Sequence, residues 1–195
     1  MEFIAFDFET ATQSPASACS LAVVRFTEDG AQETVAHLFP PPEMKFDDDN
    51  IRIHQIRPAD VADLPTLAAI WEDFAPYFDG TFCVAHNAKF DTEVLRASLS
   101  YYGLTLPSFQ YGDTVTLARR VWPDLPSYAL NRVGDFLGLT FHHHRADEDA
   151  LICGEIVRHA LQASDRADAF AMFRELGLGP HAFLGEAGWS QGALF

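Results

Sequence analysis

At 195 residues and 21.7 kDa, with 48% hydrophobic residues and 17 Phe, the chain is long enough to bury a sizeable core and is expected to fold as one globular unit rather than remain disordered. A formal charge of −15 and a pI of about 4.7 argue against a tight, non-specific nucleic-acid coat, yet not against an enzyme holding a few nucleotides through divalent cations. No stretch approaches the roughly 20 apolar residues of a membrane span, the start MEFIAFDFET lacks the basic opening of a secretory signal, and Cys19, Cys83 and Cys153 form no CxxC pair; a cytoplasmic chain with reduced thiols and no membrane partner is expected.

In chain order, residues 2–8, 19–27 and 33–39 alternate as strands, and Glu28-Asp29-Gly30 marks a hairpin turn between the last two. The segment PPPEMKFDDDN reads as a loop. Leu67, Ile70, Trp71, Phe74 and Phe78 then recur at helical spacing over residues 66–78, after the start signal Asp63-Leu64-Pro65. A short apolar strand, Thr81–Ala85, leads to a helix from Ala88 to Tyr102, closed by Gly103. Beyond Leu106-Pro107 a brief strand runs to Asp113, a candidate N-cap for a helix through Arg120. Helices are expected over Tyr128–Leu137 and Ala146–Ala163, with a last one from Ser164-Asp165 to Leu176. The domain is thus read as residues 1–176, and the Gly-rich 177–195 as a tail with little fixed structure. Three adjacent strands followed by alternating helices and strands give an α/β or α+β layer fold with a mixed sheet.

Three short motifs carry the chemistry. In a strand, residues i and i+2 share a face, so Asp7 and Glu9 project together while Phe6 and Phe8 point to the other layer. Paired carboxylates of this kind suit a hard divalent cation, although on their own they also fit a solvated edge. His86-Asn87-Ala88-Lys89-Phe90-Asp91 follows the strand ending at Ala85, at a strand-to-helix turn where α/β folds place ligands. Asp91 there is equally explained as a first-turn acid complementing the helix dipole, His86-Asn87 as capping groups, and Lys89 as a solvated residue. His144-Arg145-Ala146-Asp147-Glu148-Asp149 puts a histidine able to take a proton near neutral pH five residues before an acid. The run His142–His144 also fits a surface stretch.

Together and in this order, Asp7-x-Glu9, His86-Asn87-x-x-Phe90-Asp91 and His144-x-Ala146-x-x-Asp149 resemble the DEDDh exonucleases, the family of the proofreading subunit of bacterial DNA polymerase III. SYALNRVGDFLGLTFHHHRADEDA also looks like that family's lead-in, and the resemblance covers residues 2 to 160. It implies a ribonuclease H-like fold with a mixed five-stranded sheet. It implies a 3′→5′ exonuclease in which Asp7, Glu9, Asp91 and Asp149 hold two divalent cations, Mg2+ or Mn2+, and His144 is the general base. Phe8, Thr10, His86 and Asn87 would contact the nucleic-acid 3′ end, a single strand of DNA or RNA. Many relatives carry Thr-Gly where Ala11-Thr12 stands here, which touches on sugar and base preference; Thr10 in place of Met separates the chain from oligoribonucleases. Gln191, Leu194 and Phe195 resemble the peptide by which bacterial polymerases and repair factors bind the sliding clamp, while Trp189, Leu194 and Phe195 also suit a tail folded back on the domain. The alternatives are a catalytically idle binding or scaffold module in a polymerase or repair assembly, and a hydrolase of small phosphoesters.

Overall fold

Strand β1, Phe3–Thr10, is apolar on both faces over its first half, and the fold places it in the interior of the sheet. The computed structural model describes residues 2–185. β2 (Ala18–Thr27) and β3 (Gly30–Leu38) follow as antiparallel neighbours, joined by the expected turn, with Gly30 at φ +106°. β4 (Phe82–Ala85) pairs parallel with β1, and β5 (Phe109–Asp113) parallel with β4. β6 (His181–Phe183) closes the far edge antiparallel to β5, giving the order β3-β2-β1-β4-β5-β6.

The sixth strand corrects the expected count of five. It lies in the Gly-rich segment read as lacking fixed structure, and it is held because the Phe183 ring stacks on Phe109 with centroids 4.7 Å apart. A second correction concerns the loop after β3: Asp48–His54 (α1) and Pro58–Val61 (α2) are helical. Residues 186–195, including Trp189, Gln191, Leu194 and Phe195, lie outside the described residues.

Side-chain alternation sorts the layers. Ile4, Phe6 and Phe8 pack with α3 (Leu67–Phe78) and α4 (Ala88–Tyr101) on one face. Phe3 and Ala5 face the opposite way, onto α7 (Ala146–Ala163) and α8 (Ala169–Glu175), with Leu117 of α5 (Thr114–Val121) in the same cluster. α6 (Leu130–Phe136) packs outside α5 and α7. Each fully buried Phe contributes about 1.5–3 kcal/mol relative to an exposed one. α7 lies close over β2 because residue 154 is glycine: a Cβ there would fall 2.0 Å from the Phe26 ring. Among the described residues, no helix is long and apolar enough to cross a membrane.

Candidate active site

The layer to which each residue of β1 points decides where its acids go. Phe3 and Ala5 face α7, so Asp7 and Glu9 continue that row toward the C-terminal end of the strand. β4 runs parallel to β1, so the turn after Ala85 opens at the same end and starts α4, whose first turn holds Asp91. α7 packs across β1 and β2 and brings Asp149 from its own first turn. Oxygens of Asp7, Glu9 and Asp149 lie within 4.8 Å of one another. Asp91, 1% exposed, accepts the Phe8 N–H at 3.1 Å, which ties α4 to the strand between the two acids of β1.

Burial is the largest influence on all four carboxylates. Burial first, then Asp91, Glu9 and Asp149, holds Asp7 well above the ordinary carboxylate range. Burial, then Asp149 and Asp91, pushes Glu9 to about 8. Burial likewise raises Asp91 to about 8, against the opposing Phe8 N–H bond. Asp149 is raised by burial too, although the His143 ring and the His144 N–H pull the other way. Oxygen-only donors crowded in this manner fit a hard divalent cation, whose charge removes the mutual repulsion.

The histidines divide their duties in a way the motif alone does not reveal. The ring that touches Asp149 is that of His143, with Nδ1 3.0 and 3.1 Å from the two carboxylate oxygens. His144 donates its main-chain N–H to Asp149 at 3.0 Å from a left-handed backbone at φ +71°. Its ring stacks on His143, centroids 3.8 Å apart, and faces the cleft. Burial, then His143, lowers the His144 pKa, which keeps the imidazole neutral and able to accept a proton.

A cleft of about 310 Å³ lies over these groups, lined by Asp7, Glu9, His86, Phe90, Leu130 and His144, among others. Phe8 also borders it, but is only 3% exposed and packs its ring edge-on to Phe6, so it belongs mainly to the core. Thr10 is buried. His86 has both ring nitrogens engaged, Nδ1 with Thr114 Oγ1 and Nε2 with the Tyr128 carbonyl, each at 2.9 Å; it fastens the 128–130 segment to the cleft wall. Asn87 is exposed at φ +68°, and its side chain does not cap α4. Lys89 projects into solvent within reach of Glu93, as the solvated reading expects. Asp113 caps α5 by accepting the Val115 N–H at 2.7 Å. Sequence reasoning missed His143, Thr114, and also Asn50 and His54, which bond to the Thr10 carbonyl. A signal for the last pair existed: Asp47-Asp48-Asp49 is an acidic helix start of the ordinary kind.

Comparison with known proteins agrees with this geometry. The family model described as "Exonuclease" matches residues 4–157. The DNA polymerase III subunit epsilon of Treponema pallidum is 36% identical over 129 residues, covering 62% of this chain and 60% of its own length. A PolC-type DNA polymerase III of Caldanaerobacter subterraneus is 29% identical over 158 residues, 80% of this chain but 11% of that polymerase. The chain therefore spans less than two thirds of either relative. A solved structure of Exonuclease X in complex with 5′ overhanging duplex DNA superimposes with a TM-score of 0.69 at 27% identity, covering 85% of this chain and 94% of that one.

Proposed function

Since this chain belongs to the exonuclease family, with the DEDDh pattern of acids and histidine in place, we propose that it is a metal-dependent 3′→5′ exonuclease releasing nucleoside 5′-monophosphates. The observation that carries the reading is the convergence of four carboxylates from three separate elements, Glu9, Asp91 and Asp149 buried and Asp7 half-buried, each pushed toward its protonated form chiefly by burial. Asp7, Glu9, Asp91 and Asp149 would hold two divalent cations, Mg2+ or Mn2+. Bound there, the pair would supply charge stabilisation to the phosphodiester and acidify a water. His144, half-buried at the cleft, would serve as the general base that accepts a proton from the attacking water. The Phe90 side chain, 41% exposed, offers apolar surface for the terminal base, and His86 keeps the 128–130 wall of the cleft in place.

DNA is the favoured substrate, supported by relatives named as DNA polymerase III components and by the duplex DNA in the Exonuclease X structure. A cytoplasmic setting accords with three free, buried cysteines. Docking to a polymerase subunit or sliding clamp through Gln191, Leu194 and Phe195 belongs to the same proposal. So does a catalytic domain of residues 1–176, to whose sheet the segment 177–195 adds β6.

The test is release of labelled mononucleotide from single-stranded DNA and RNA oligonucleotides with Mn2+, comparing wild type with Asp7→Ala and His144→Ala. Loss of activity in both variants supports the assignment, and the DNA-to-RNA ratio identifies the substrate. A wild-type protein that releases nothing would move the chain to the scaffold reading; hydrolysis of a mononucleotide ester but not an oligonucleotide would make it a small-phosphoester hydrolase.

A further inference from the structure

β1 and β2 stay in register as far as Glu9, opposite Ser20, and then slip so that Thr10 faces Ala18 and Cys19 is the extra residue of a bulge. Past that point the β1 main chain is gripped from elsewhere. The Thr10 carbonyl accepts two side-chain donors from α1, Asn50 Nδ2 at 2.7 Å and His54 Nε2 at 3.2 Å. The next carbonyl, that of Ala11, accepts the Asp47 N–H at 2.9 Å. The His54 tautomer follows from its other nitrogen: Ile56 N–H donates to Nδ1 at 3.0 Å, so Nδ1 is the acceptor and Nε2 carries the hydrogen.

α1 is docked in an unusual way. Its buried residues are Asn50 and His54, 8% and 6% exposed, while its apolar Ile53 is 50% exposed. A helix that only filled space would bury the isoleucine, because polar groups gain nothing from burial unless each finds a partner. Here both side chains find theirs in one carbonyl, that of Thr10, directly after Glu9. We propose that Asn50 and His54 are positioning residues for the metal-binding carboxylates: α1 clamps the Thr10 carbonyl and so holds the Glu9 side chain, one residue earlier, where a divalent cation binds. This rests on the reading of Asp7, Glu9, Asp91 and Asp149 as metal ligands. Neither residue touches substrate in this scheme; both act through the main chain.

The experiment measures Mn2+ binding to the full chain by calorimetry without nucleic acid, alongside kcat and KM for an oligonucleotide. Asn50→Leu keeps the volume and removes the donor, and an apolar residue is well suited to a buried site, so its fold is expected to survive. His54→Leu removes the second donor together with the Nδ1 acceptor of the Ile56 N–H, and His54→Gln restores an N–H near the Nε2 position. Hydrogen-bond partners that orient metal-ligating residues typically alter metal affinity or activity by about 10–100-fold when lost. Both leucine variants should therefore weaken Mn2+ binding and lower kcat by about tenfold or more with KM changed less than about twofold, and His54→Gln should recover most of the loss. Folded leucine variants with wild-type Mn2+ affinity and kcat would overturn the inference while leaving the site reading intact. A wild-type chain that neither binds Mn2+ nor releases nucleotide would overturn both. Should His54→Leu fail to fold, Asn50→Leu and His54→Gln carry the same comparison.

Discussion

Replacing Glu9 by glutamine should make the metal-free protein more stable at alkaline pH while abolishing nuclease activity. In the fold, burial, then Asp149 and Asp91, raises the Glu9 pKa from 4.5 to about 8. A raised carboxyl pKa means the folded state holds a proton that the unfolded state has released. Its contribution is fully present below pH 4.5 and is lost as pH rises through 8. Ionising such a group in place costs on the order of 5 kcal/mol. Part of that is shared with Asp91, also raised to about 8, so Glu9→Gln is expected to stabilise the metal-free chain by roughly 3–5 kcal/mol at pH 8.5. For a chain of this size that corresponds to a Tm about 10 °C higher. His54 and His86, both lowered chiefly by burial, are neutral in either state above pH 7 and drop out of this window. The Cys83 and Cys153 thiols, raised chiefly by burial, act equally in both proteins and cancel, and that of Cys19 is raised first by burial, common to both, and only secondarily by Glu9. The assay is thermal unfolding in chelator at pH 7.0 and 8.5, repeated with Mn2+. Wild type should lose stability across that interval and regain it with the metal; Glu9→Gln should lose less, the remainder coming from Asp7 and Asp91, which stay raised by burial, and should regain less with the metal. A glutamine variant less stable than wild type at pH 8.5 in chelator, or a wild-type Tm indifferent to both pH and metal, would refute the reasoning.

Gly154→Ala should destabilise the fold by about 2–3 kcal/mol in urea unfolding, since its Cβ meets a Phe26 ring already stacked on Phe3 at 5.0 Å and fully buried. His86→Ala should cost about 1–3 kcal/mol by stranding the Tyr128 carbonyl and Thr114 hydroxyl, and should raise KM for an oligonucleotide because the 128–130 wall is released. His143→Ala removes a ring contact to Asp149 and should leave kcat within about tenfold of wild type, whereas His144→Ala should lower it by about 100-fold or more. Equal losses in single-turnover assays would mean that the pair acts as one unit.

Much of the architecture was legible from local pattern. α7 spans Ala146–Ala163 as its apolar spacing and acidic start require, and α4 differs from expectation by one residue at its end. The two-residue period of β1 sends Asp7 and Glu9 to one side and Phe6 and Phe8 to the other, because strand geometry is a property of neighbours along the chain. Motif order likewise singles out acids that the fold gathers at one end of β1. What escaped has a common cause. The clasp of Asn50 and His54 on Thr10 spans 40 and 44 residues, and that of His86 on Tyr128 spans 42; such bonds leave no periodic trace. α1 is seven residues long and buries polar rather than apolar groups, so hydrophobic periodicity could not reveal it. β6 exists through pairing with β5 and the stacking of Phe183 on Phe109, which only sheet order brings together. The sequence by itself determined which residues carry charge and which local elements display them. Tertiary structure alone decided that β4 lies parallel beside β1, that His143 rather than His144 turns its ring to Asp149, and that α1 holds the strand end. Those outcomes depend on burial and partner geometry between segments far apart in the chain, which local propensity does not encode.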